Sequence, residues 1–416
     1  MKISAVLLTV VVACASLAAC SRAPISTPDP VAAIDRNEAA ALIAAVEGLE
    51  AAGVPKGHFD MAPLHAAIAA GEPALIRTRA EALFDEAAAD ISSGLTPPAA
   101  RPGWRMNVKE PDEDAFADLK TRAFDTGDFA QAFASLAPKH EQYARLKSAL
   151  NAENLSAEEK ARLRLNMDRW RWMPDDLGAD YILVNVPAFE LTLVRDGQPA
   201  ARRRVVTGTP KLPTPQMNAM VTGVIFNPTW FVPQSIVRES IGALMKNDPA
   251  RAERLGYYAD TDGNVRQRPG PANALGQMKL VMPNPYSVFL HDTPSKDAFD
   301  RETRALSHGC IRVQDALGFA RTLLGDAISD EDFKEIVAKR QTAEIDLATP
   351  LPVYVAYFTA VADAAGAVEF YPDIYGLDAA LLAQFGGAAT DPDPIKTLIE
   401  ETCPESADEV ALRDTL

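Results

Sequence analysis

The chain has 416 residues, of which 48% are hydrophobic and 24% are charged, and its formal net charge is -16 at pH 7. This length allows two or three domains, and the composition is ordinary for a globular protein. Binding to nucleic acid needs a clustered Lys/Arg surface, so the acidic balance argues against a nucleic-acid partner. The one dense basic cluster, Arg202–Arg204, is interpreted as a solvated strand edge.

The N-terminus has the pattern of a secretory signal that ends on a cysteine. An uncharged apolar run over 3–17 is too short to span a bilayer comfortably. Small residues then lead to Cys20, and this segment resembles the lipobox of bacterial lipoproteins. The resemblance implies a signal peptide over 1–19 and a lipid anchor on Cys20, with a plain cleaved signal as the alternative. Because Ser21 rather than Asp follows, we expect a periplasm-facing lipoprotein of the outer membrane.

The four cysteines do not predict a structural disulfide. Cys14 leaves with the signal peptide and Cys20 carries the lipid, so Cys310 and Cys403 remain. Two thiols in an oxidising compartment can pair. However, Cys403 lies in a polar C-terminal segment, and Cys310 lies in a motif that needs its thiol for chemistry.

A Pro-rich linker over 20–30 leads into a region of helical patterns. Apolar residues recur at three and four positions over 31–150, which predicts an all-α domain of several helices. A capping box at Ser156–Glu159 opens a connecting helix within 151–177. The helices are separated by predicted breaks at Gly71–Pro73, Thr96–Pro98 and Gly127–Asp128.

From Tyr181 the hydrophobic period changes to that of strands. Apolar runs flank Asp196–Gly197, which is a strong hairpin signal. Residues 233–254 read as a helical insertion and 256–275 as an irregular loop, followed later by a helix over 315–325. Strands are predicted at 181–186, 189–194, 205–206, 220–226, 277–282, 287–291, 353–361 and 368–371.

The segment that carries chemistry contains His291 and, 19 positions later, Cys310, which ends the motif Ser307-His308-Gly309-Cys310. Cysteine attacks as the thiolate, and a thiol with a pKa of about 8.5 needs a base near neutral pH. An imidazole within hydrogen-bond reach can take that proton and later give it to a leaving amine. We therefore predict Cys310 as the nucleophile and His291 as its base.

This segment resembles the L,D-transpeptidase (YkuD-type) catalytic domain, in which a His precedes Ser/Thr-His-Gly-Cys at a similar spacing. The resemblance to the large periplasmic branch of that family spans roughly 160–376. That branch usually carries a small peptidoglycan-binding helical domain, for which this chain has too few residues between Leu150 and Ser156. The matching segments are Arg169–Pro174, Asn227–Pro233, Pro269–Gly276, Leu290–Lys296 and Asp373–Gly376.

The resemblance implies an α+β fold with a β-rich catalytic domain over 178–376 and a helical capping insertion over 233–275. An all-α scaffold domain over 31–150 would precede it, and 377–416 would be a C-terminal tail. No cofactor or metal is expected.

The same resemblance assigns roles around the nucleophile. A main-chain carbonyl just after His291 would fix its tautomer, with the Asp292 side chain as a rival. Gly309 would let the backbone approach the substrate, and the N–H of Cys310 and neighbouring groups would form the oxyanion hole. His308 would line the site and complete the expected catalytic set.

Five residues form the expected substrate-binding set: Ser307, Gly309, Arg312, Trp230 and Asn273. Ser307 is expected to orient the loop rather than to attack. Arg312 either binds a substrate carboxylate or braces the loop. Trp230 is either core or pocket wall, and Asn273 either forms a turn or contacts substrate.

By resemblance, Cys310 would cleave the L,D bond of a peptidoglycan tetrapeptide stem and pass the acyl group to a second stem, giving a 3-3 crosslink. Carbapenems would acylate the same thiol. Water or a lipoprotein could replace the acceptor, giving an L,D-carboxypeptidase, an endopeptidase or a lipoprotein-to-wall transferase. Two other classes stay open: a zinc hydrolase using His291, His308 and Cys310, and a non-catalytic lipoprotein that binds wall peptides.

Overall fold

The computed structural model describes residues 36–106, 112–152 and 155–387. The predicted signal peptide, the linker, Cys20 and Cys403 lie outside these residues. A helical part precedes a part rich in strands, which confirms the predicted α+β organisation. No helix within the described ranges is long and apolar enough to cross a membrane.

Seven helices form the first part: α1 (Arg36–Glu47), α2 (Ala62–Ala70), α3 (Pro73–Ser93), α4 (Glu113–Thr126), α5 (Phe129–Leu136), α6 (Glu141–Leu150) and α7 (Ala157–Trp172). Gly71 and Gly127 end α2 and α4 with φ of 72° and 71°, a conformation that costs glycine little. The predicted breaks at both positions are therefore confirmed.

The helical part has its own apolar core around Phe84. The ring of this α3 residue is fully buried and lies 5.2 to 6.1 Å from the rings of Phe124, Phe129 and Phe133. Burying each such side chain contributes roughly 1.5–3 kcal/mol. The aromatic cluster therefore joins α3, α4 and α5 into one packed unit.

The predicted connecting helix, α7, lies between two cores. Its capping box at Ser156 and Glu159 is present. One face contributes Leu165 and Trp172 to the helical core, and another contributes Met167 and Trp170 to a core shared with the strands. This helix is therefore a central packing element of the fold.

The strands are β1 (Tyr181–Asn185), β2 (Glu190–Arg195), β3 (Gln198–Gly208), β4 (Met217–Phe226), β5 (Trp230–Phe231), β6 (Tyr257–Ala259), β7 (Val265–Gln267), β8 (Met278–Val281), β9 (Leu290–His291), β10 (Ala305–Ser307), β11 (Ile311–Val313), β12 (Ala343–Ala356), β13 (Ala360–Ala362) and β14 (Val368–Phe370). Nine of them form one sheet in the order β10-β3-β11-β9-β8-β4-β12-β1-β2. Because β2 also pairs with β3, the sheet closes on itself around an apolar core.

Residues with a positive φ mark the turn between β2 and β3 and the start of the segment that leads to β9. Asp196 and Gly197 have φ of 49° and 71°, as a two-residue hairpin turn between β2 and β3 requires. This predicted hairpin is confirmed. The predicted strand over 287–291 is shorter than expected, because Ser287 has a φ of 52° and β9 includes only Leu290 and His291.

The insertion after β5 combines helices with a small sheet. Its helices are α8 (Gln234–Ile236), which continues through a π-helical turn (Val237–Ile241) into α9 (Gly242–Asn247), and α10 (Pro249–Arg254). The predicted irregular loop over 256–275 is partly wrong, because it contains β6 and β7, which form a three-stranded sheet with β5. The Asp260 carboxylate accepts hydrogen bonds from Asn264 N at 2.9 Å and Arg266 Nε at 2.6 Å, which closes the β6–β7 turn.

Two more helices, α11 (Ala316–Leu324) and α12 (Asp330–Lys339), follow β11, and the first confirms the helix predicted over 315–325. The predicted C-terminal tail begins too early at 377. Asp378 forms a buried ion pair with Arg169 of α7, and Phe385 is fully buried in the helical core. Residues after 376 therefore return to α7 and belong to the folded unit.

Candidate active site

His291 ends one strand, and Cys310 immediately precedes a second strand that pairs with it in parallel. In the β9–β11 pair, Ile311 lies opposite Leu290 and Arg312 lies opposite His291. Side chains alternate along a strand, so His291 and Arg312 project from one face of the sheet. Cys310 immediately precedes β11 and lies two residues before Arg312. The pairing of β9 with β11 thus joins the segments of the two predicted catalytic residues, which are 19 positions apart in the sequence.

The His291 ring is buried and held through one nitrogen. Its Nδ1 lies 2.5 Å from the main-chain oxygen of Asp292, which confirms the expected orienting carbonyl. The Asp292 side chain has other partners, since it accepts from Gln277 N at 3.0 Å and contacts Lys296. With Nδ1–H donating to a carbonyl, the lone pair of this imidazole lies on Nε2.

Burial lowers the pKa of His291 to about 4. The Asp292 carbonyl opposes this shift, and the nearby Arg312 guanidinium adds to it. The imidazole is therefore neutral at neutral pH. A neutral ring with a lone pair on Nε2 can accept a proton from a thiol.

Arg312 is electrostatically linked to both predicted catalytic residues. Burial lowers the pKa of its guanidinium, and Cys310 opposes that shift. A cationic group close to a thiol favours the thiolate form. The same group close to an imidazole disfavours the protonated imidazolium form. This geometry suits a role in charge stabilisation and leaves open whether Arg312 also binds a substrate carboxylate.

Acid should destabilise the protein through two histidines, the buried His291 and the partly buried His140. Burial also lowers the pKa of His140 to about 4; its Nδ1 accepts from Gln142 N at 3.1 Å and its ring stacks on Trp170. An unfolded histidine has a pKa of about 6.5, so between that value and 4 the unfolded chain binds more protons. Stability is fully present above pH 6.5 and falls toward pH 4, by up to roughly 3 kcal/mol for each histidine.

Denaturant titrations at pH 7.5, 5.5 and 4.5 measure this loss. The variant His140→Gln should show a smaller dependence on pH than the wild type, whereas exposed His65→Gln should match the wild type. Equal stability of the wild-type protein at pH 7.5 and 4.5 would contradict the two lowered pKa values.

Ser307 holds the loop before Cys310 through two hydrogen bonds. Its Oγ accepts from Gly309 N at 3.1 Å and donates to Cys310 O at 2.5 Å. Both bonds stay within the loop, as the expected orienting role requires. Gly309 has a φ of 108°, a conformation that side chains rarely adopt, so glycine is required in this turn.

The thiol opens into a narrow cavity of about 50 Å³. The Cys310 Sγ lies 3.6 Å from the main-chain oxygen of Ser287. Pockets that hold drug-sized ligands usually measure about 300–1,000 Å³, so this cavity is small for a peptide. The walls are Leu212, Pro213, Pro215, Tyr286, Ser287, Val288, His308 and Gly309.

The insertion after β5 contacts this cavity through one pair of side chains. His308 Nε2 lies 2.9 Å from a carboxylate oxygen of Glu239, which belongs to the π-helical turn. Both side chains are about half exposed, at 45% and 59%. Contacts of this kind usually contribute about 1 kcal/mol or less, so this pair adds little to the packing of the insertion on the loop.

Of the five residues in the expected substrate-binding set, Gly309 lines the cavity and the other four lie outside its walls. Trp230 is half-buried in β5, opposite Gln267, with its ring 6.5 Å from that of Tyr257. Asn273 is 1% exposed and donates to three main-chain oxygens, those of Pro228, Gln267 and Arg268. This geometry gives Asn273 a turn-forming role and places Trp230 in the small sheet, just before the insertion.

No group of three or more His, Cys, Asp or Glu side chains suited to a metal ion occurs in the described part of the chain. Cys310 forms no disulfide within the described residues.

The sequence did not single out three residues that shape the site. Glu239 pairs with His308, Ser287 faces the thiol, and Thr214 Oγ1 donates to Gly309 O at 2.7 Å. Of these three residues, only Ser287 lies near a recognisable sequence pattern, the turn-forming pair Asn284–Pro285. The Asn284 side chain accepts from Tyr286 N and Val288 N and so shapes that turn.

Family models match two parts of the chain. Residues 179–353 match the L,D-transpeptidase catalytic domain (YkuD), and residues 33–150 match a scaffold domain. A putative L,D-transpeptidase from Haemophilus influenzae is 34% identical over 238 residues, which are 52% of this chain and 48% of that protein. The chain therefore spans about half the length of this curated relative.

Solved structures of L,D-transpeptidases are also similar to part of the chain. The catalytic domain from Enterococcus faecium, determined by NMR, is 18% identical, with 42% of this chain and 95% of that chain covered and a TM-score of 0.22. An L,D-transpeptidase from Mycobacterium smegmatis is 14% identical, with 42% and 58% covered and a TM-score of 0.23.

Proposed function

We propose that this chain, whose residues 179–353 belong to the L,D-transpeptidase catalytic-domain family, is a cell-envelope enzyme that crosslinks peptidoglycan through an acyl-enzyme on Cys310. The observation that supports the proposal is the β9–β11 pairing, in which a neutral, oriented His291 lies opposite Arg312, two residues after Cys310. A thiol nucleophile, a proton acceptor and a nearby guanidinium are the groups that acyl transfer needs.

In the first half-reaction, His291 Nε2 takes the proton of Cys310, and Sγ attacks the carbonyl carbon of the third residue of a tetrapeptide stem. The bond to D-Ala breaks as the imidazolium returns that proton to the leaving amine. A thioester on Cys310 remains. Arg312, close to both groups, stabilises the negative charge that forms during the attack.

In the second half-reaction, the side-chain amine of a diaminopimelate residue in another stem attacks the thioester. His291 takes the proton of the amine, the carbon–sulfur bond breaks, and the thiol is restored. The product is a 3-3 crosslink. If water attacks instead, the product is a free stem, and analysis of products with and without an added acceptor stem separates the two reactions.

The proposed location is the cell envelope, with the lipid on Cys20 holding the enzyme at a membrane facing the periplasm. The apolar run before Cys20 supports this, and the Pro-rich segment over 20–30 would separate the enzyme from the surface. Metabolic labelling with a fatty acid would test it, since Cys20→Ala should remove the label.

Intact mass spectrometry after exposure to a carbapenem tests the nucleophile. The wild-type protein should gain the mass of one carbapenem, because the thiolate opens the β-lactam ring at its carbonyl and gives a stable thioester. The variant Cys310→Ala should gain none. A folded wild-type protein that stays unmodified, or an alanine variant that still gains the adduct, would refute Cys310 as the acylated residue.

A further inference from the structure

The carbonyl of Gly309 and the N–H of Cys310 belong to one peptide group. Because this group is planar and trans, the C=O and the N–H point in opposite directions. The hydroxyl of Thr214 donates to Gly309 O at 2.7 Å. Thr214 therefore sets the direction of the Cys310 N–H, a donor on the nucleophile's own residue, where an oxyanion would form.

Thr214 is itself fixed by two neighbours. It is 3% exposed, and its Oγ1 accepts from Gly208 N at 2.9 Å, so its own proton is left to point at Gly309 O. Tyr375 OH donates to Gly208 O at 2.7 Å and accepts from Thr214 N at 3.2 Å. The hydroxyl of Thr214 thus has one direction available to it.

The turn that carries Thr214 is closely packed. A Cβ on Gly208 would lie 2.1 Å from Leu212 O, so only glycine lets the chain approach this closely. Tyr375 is 1% exposed, and its N–H donates to Tyr357 OH at 2.9 Å. Tyr375 also belongs to the segment Asp373–Gly376, which the catalytic steps above do not use. These contacts leave Thr214 little freedom to move.

We propose that Thr214 and Tyr375 are positioning residues for the oxyanion step, because they hold the Gly309–Cys310 peptide in the orientation that aims the Cys310 N–H at the reacting carbonyl oxygen. This inference rests on the proposed function, since it presumes that Cys310 attacks a carbonyl. Neither residue has to touch the substrate for this role.

Two reagents separate the orientation of the peptide from the reactivity of the thiol. A carbapenem forms an oxyanion when Sγ attacks its carbonyl. Iodoacetamide forms none, because Sγ displaces iodide at a saturated carbon and the thiol proton passes to a base. The variant Thr214→Val keeps the branched shape but loses the hydroxyl. It should be acylated about 10- to 100-fold more slowly and alkylated within about twofold of the wild-type rate.

Three further variants complete the test. Thr214→Ser keeps the hydroxyl and should retain most of the acylation rate. Tyr375→Phe should be acylated more slowly but alkylated at the normal rate, as expected for Thr214→Val. It provides the test if Thr214→Val does not fold. Tyr354→Phe is the matched control, because this buried tyrosine donates to Leu177 O at 3.4 Å and should keep both rates.

Each outcome has a definite meaning. Acylation of Thr214→Val and Tyr375→Phe at the wild-type rate overturns the inference. Equal loss of acylation and alkylation also overturns it, because the two residues would then act on the thiol or on the fold. If the wild-type protein itself reacts with iodoacetamide but not with a carbapenem, the proposed function fails and the inference fails with it.

Discussion

Replacing His291 with glutamine is expected to slow the acylation of Cys310 by a carbapenem about 10³-fold at pH 7. Glutamine keeps a polar side chain that can donate to the Asp292 carbonyl, which His291 Nδ1 contacts at 2.5 Å. It has no group that accepts a proton near neutral pH. The loss should therefore come from proton transfer, with the fold retained.

The dependence of the acylation rate on pH gives a second signature. Because burial lowers the pKa of His291 to about 4, the wild-type rate should be level at neutral pH and fall only as the imidazole is protonated near pH 4. In His291→Gln the thiol must ionise by itself, so the rate should rise with pH toward the ordinary thiol pKa of about 8.5. Time-resolved intact mass spectrometry from pH 4 to 9 measures both profiles.

His65→Gln is the matched control, because this histidine is exposed on α2 and should change neither the rate nor the profile. Retention of a rate within about tenfold of wild type by His291→Gln would contradict the role of general base. A wild-type rate that falls near pH 6.5 would contradict a buried, neutral His291.

The proposed nucleophile and its proposed base could be predicted from the sequence because they lie in one short segment. Residues that shape their surroundings come from distant parts of the chain. Thr214 and Gly309 are 95 positions apart, and Glu239 and His308 are 69 apart. Contacts over such separations depend on the order of the strands in the sheet. A strand of three residues, such as β11, is too short to show a hydrophobic period from which that order could be predicted.

The role of α7 was harder to predict for a different reason. Charged side chains usually lie at the surface, so Asp168, Arg169 and Arg171 suggest an exposed connector. All three are buried, at 0%, 2% and 3% exposure. Their compensating partners cannot be read locally, since Arg169 pairs with Asp378 in a segment that was predicted to be a tail.

This buried pair has the second large expected effect, on stability. The Nη1 of Arg169 lies 2.5 Å from Asp378 Oδ1, and Thr359 Oγ1 donates to the other carboxylate oxygen at 2.6 Å. Replacing Arg169 with methionine fills similar space but leaves the carboxylate buried without its main counter-charge. Breaking a buried pair in this way costs about 3–5 kcal/mol. Equilibrium unfolding by urea at pH 7 measures the loss.

A double-mutant cycle shows whether the pair, rather than the volume of the side chain, is responsible. Asp378→Asn alone should also destabilise the protein, and Arg169→Met with Asp378→Asn should lose about 1–3 kcal/mol less than the two single losses combined. The exposed pair of Lys339 and Glu335 is the control, and Lys339→Met should change stability by about 0.5 kcal/mol or less. Additive losses at Arg169 and Asp378 would mean that α7 and the C-terminal segment are held together by their apolar contacts, with Phe385 in the helical core as the main one.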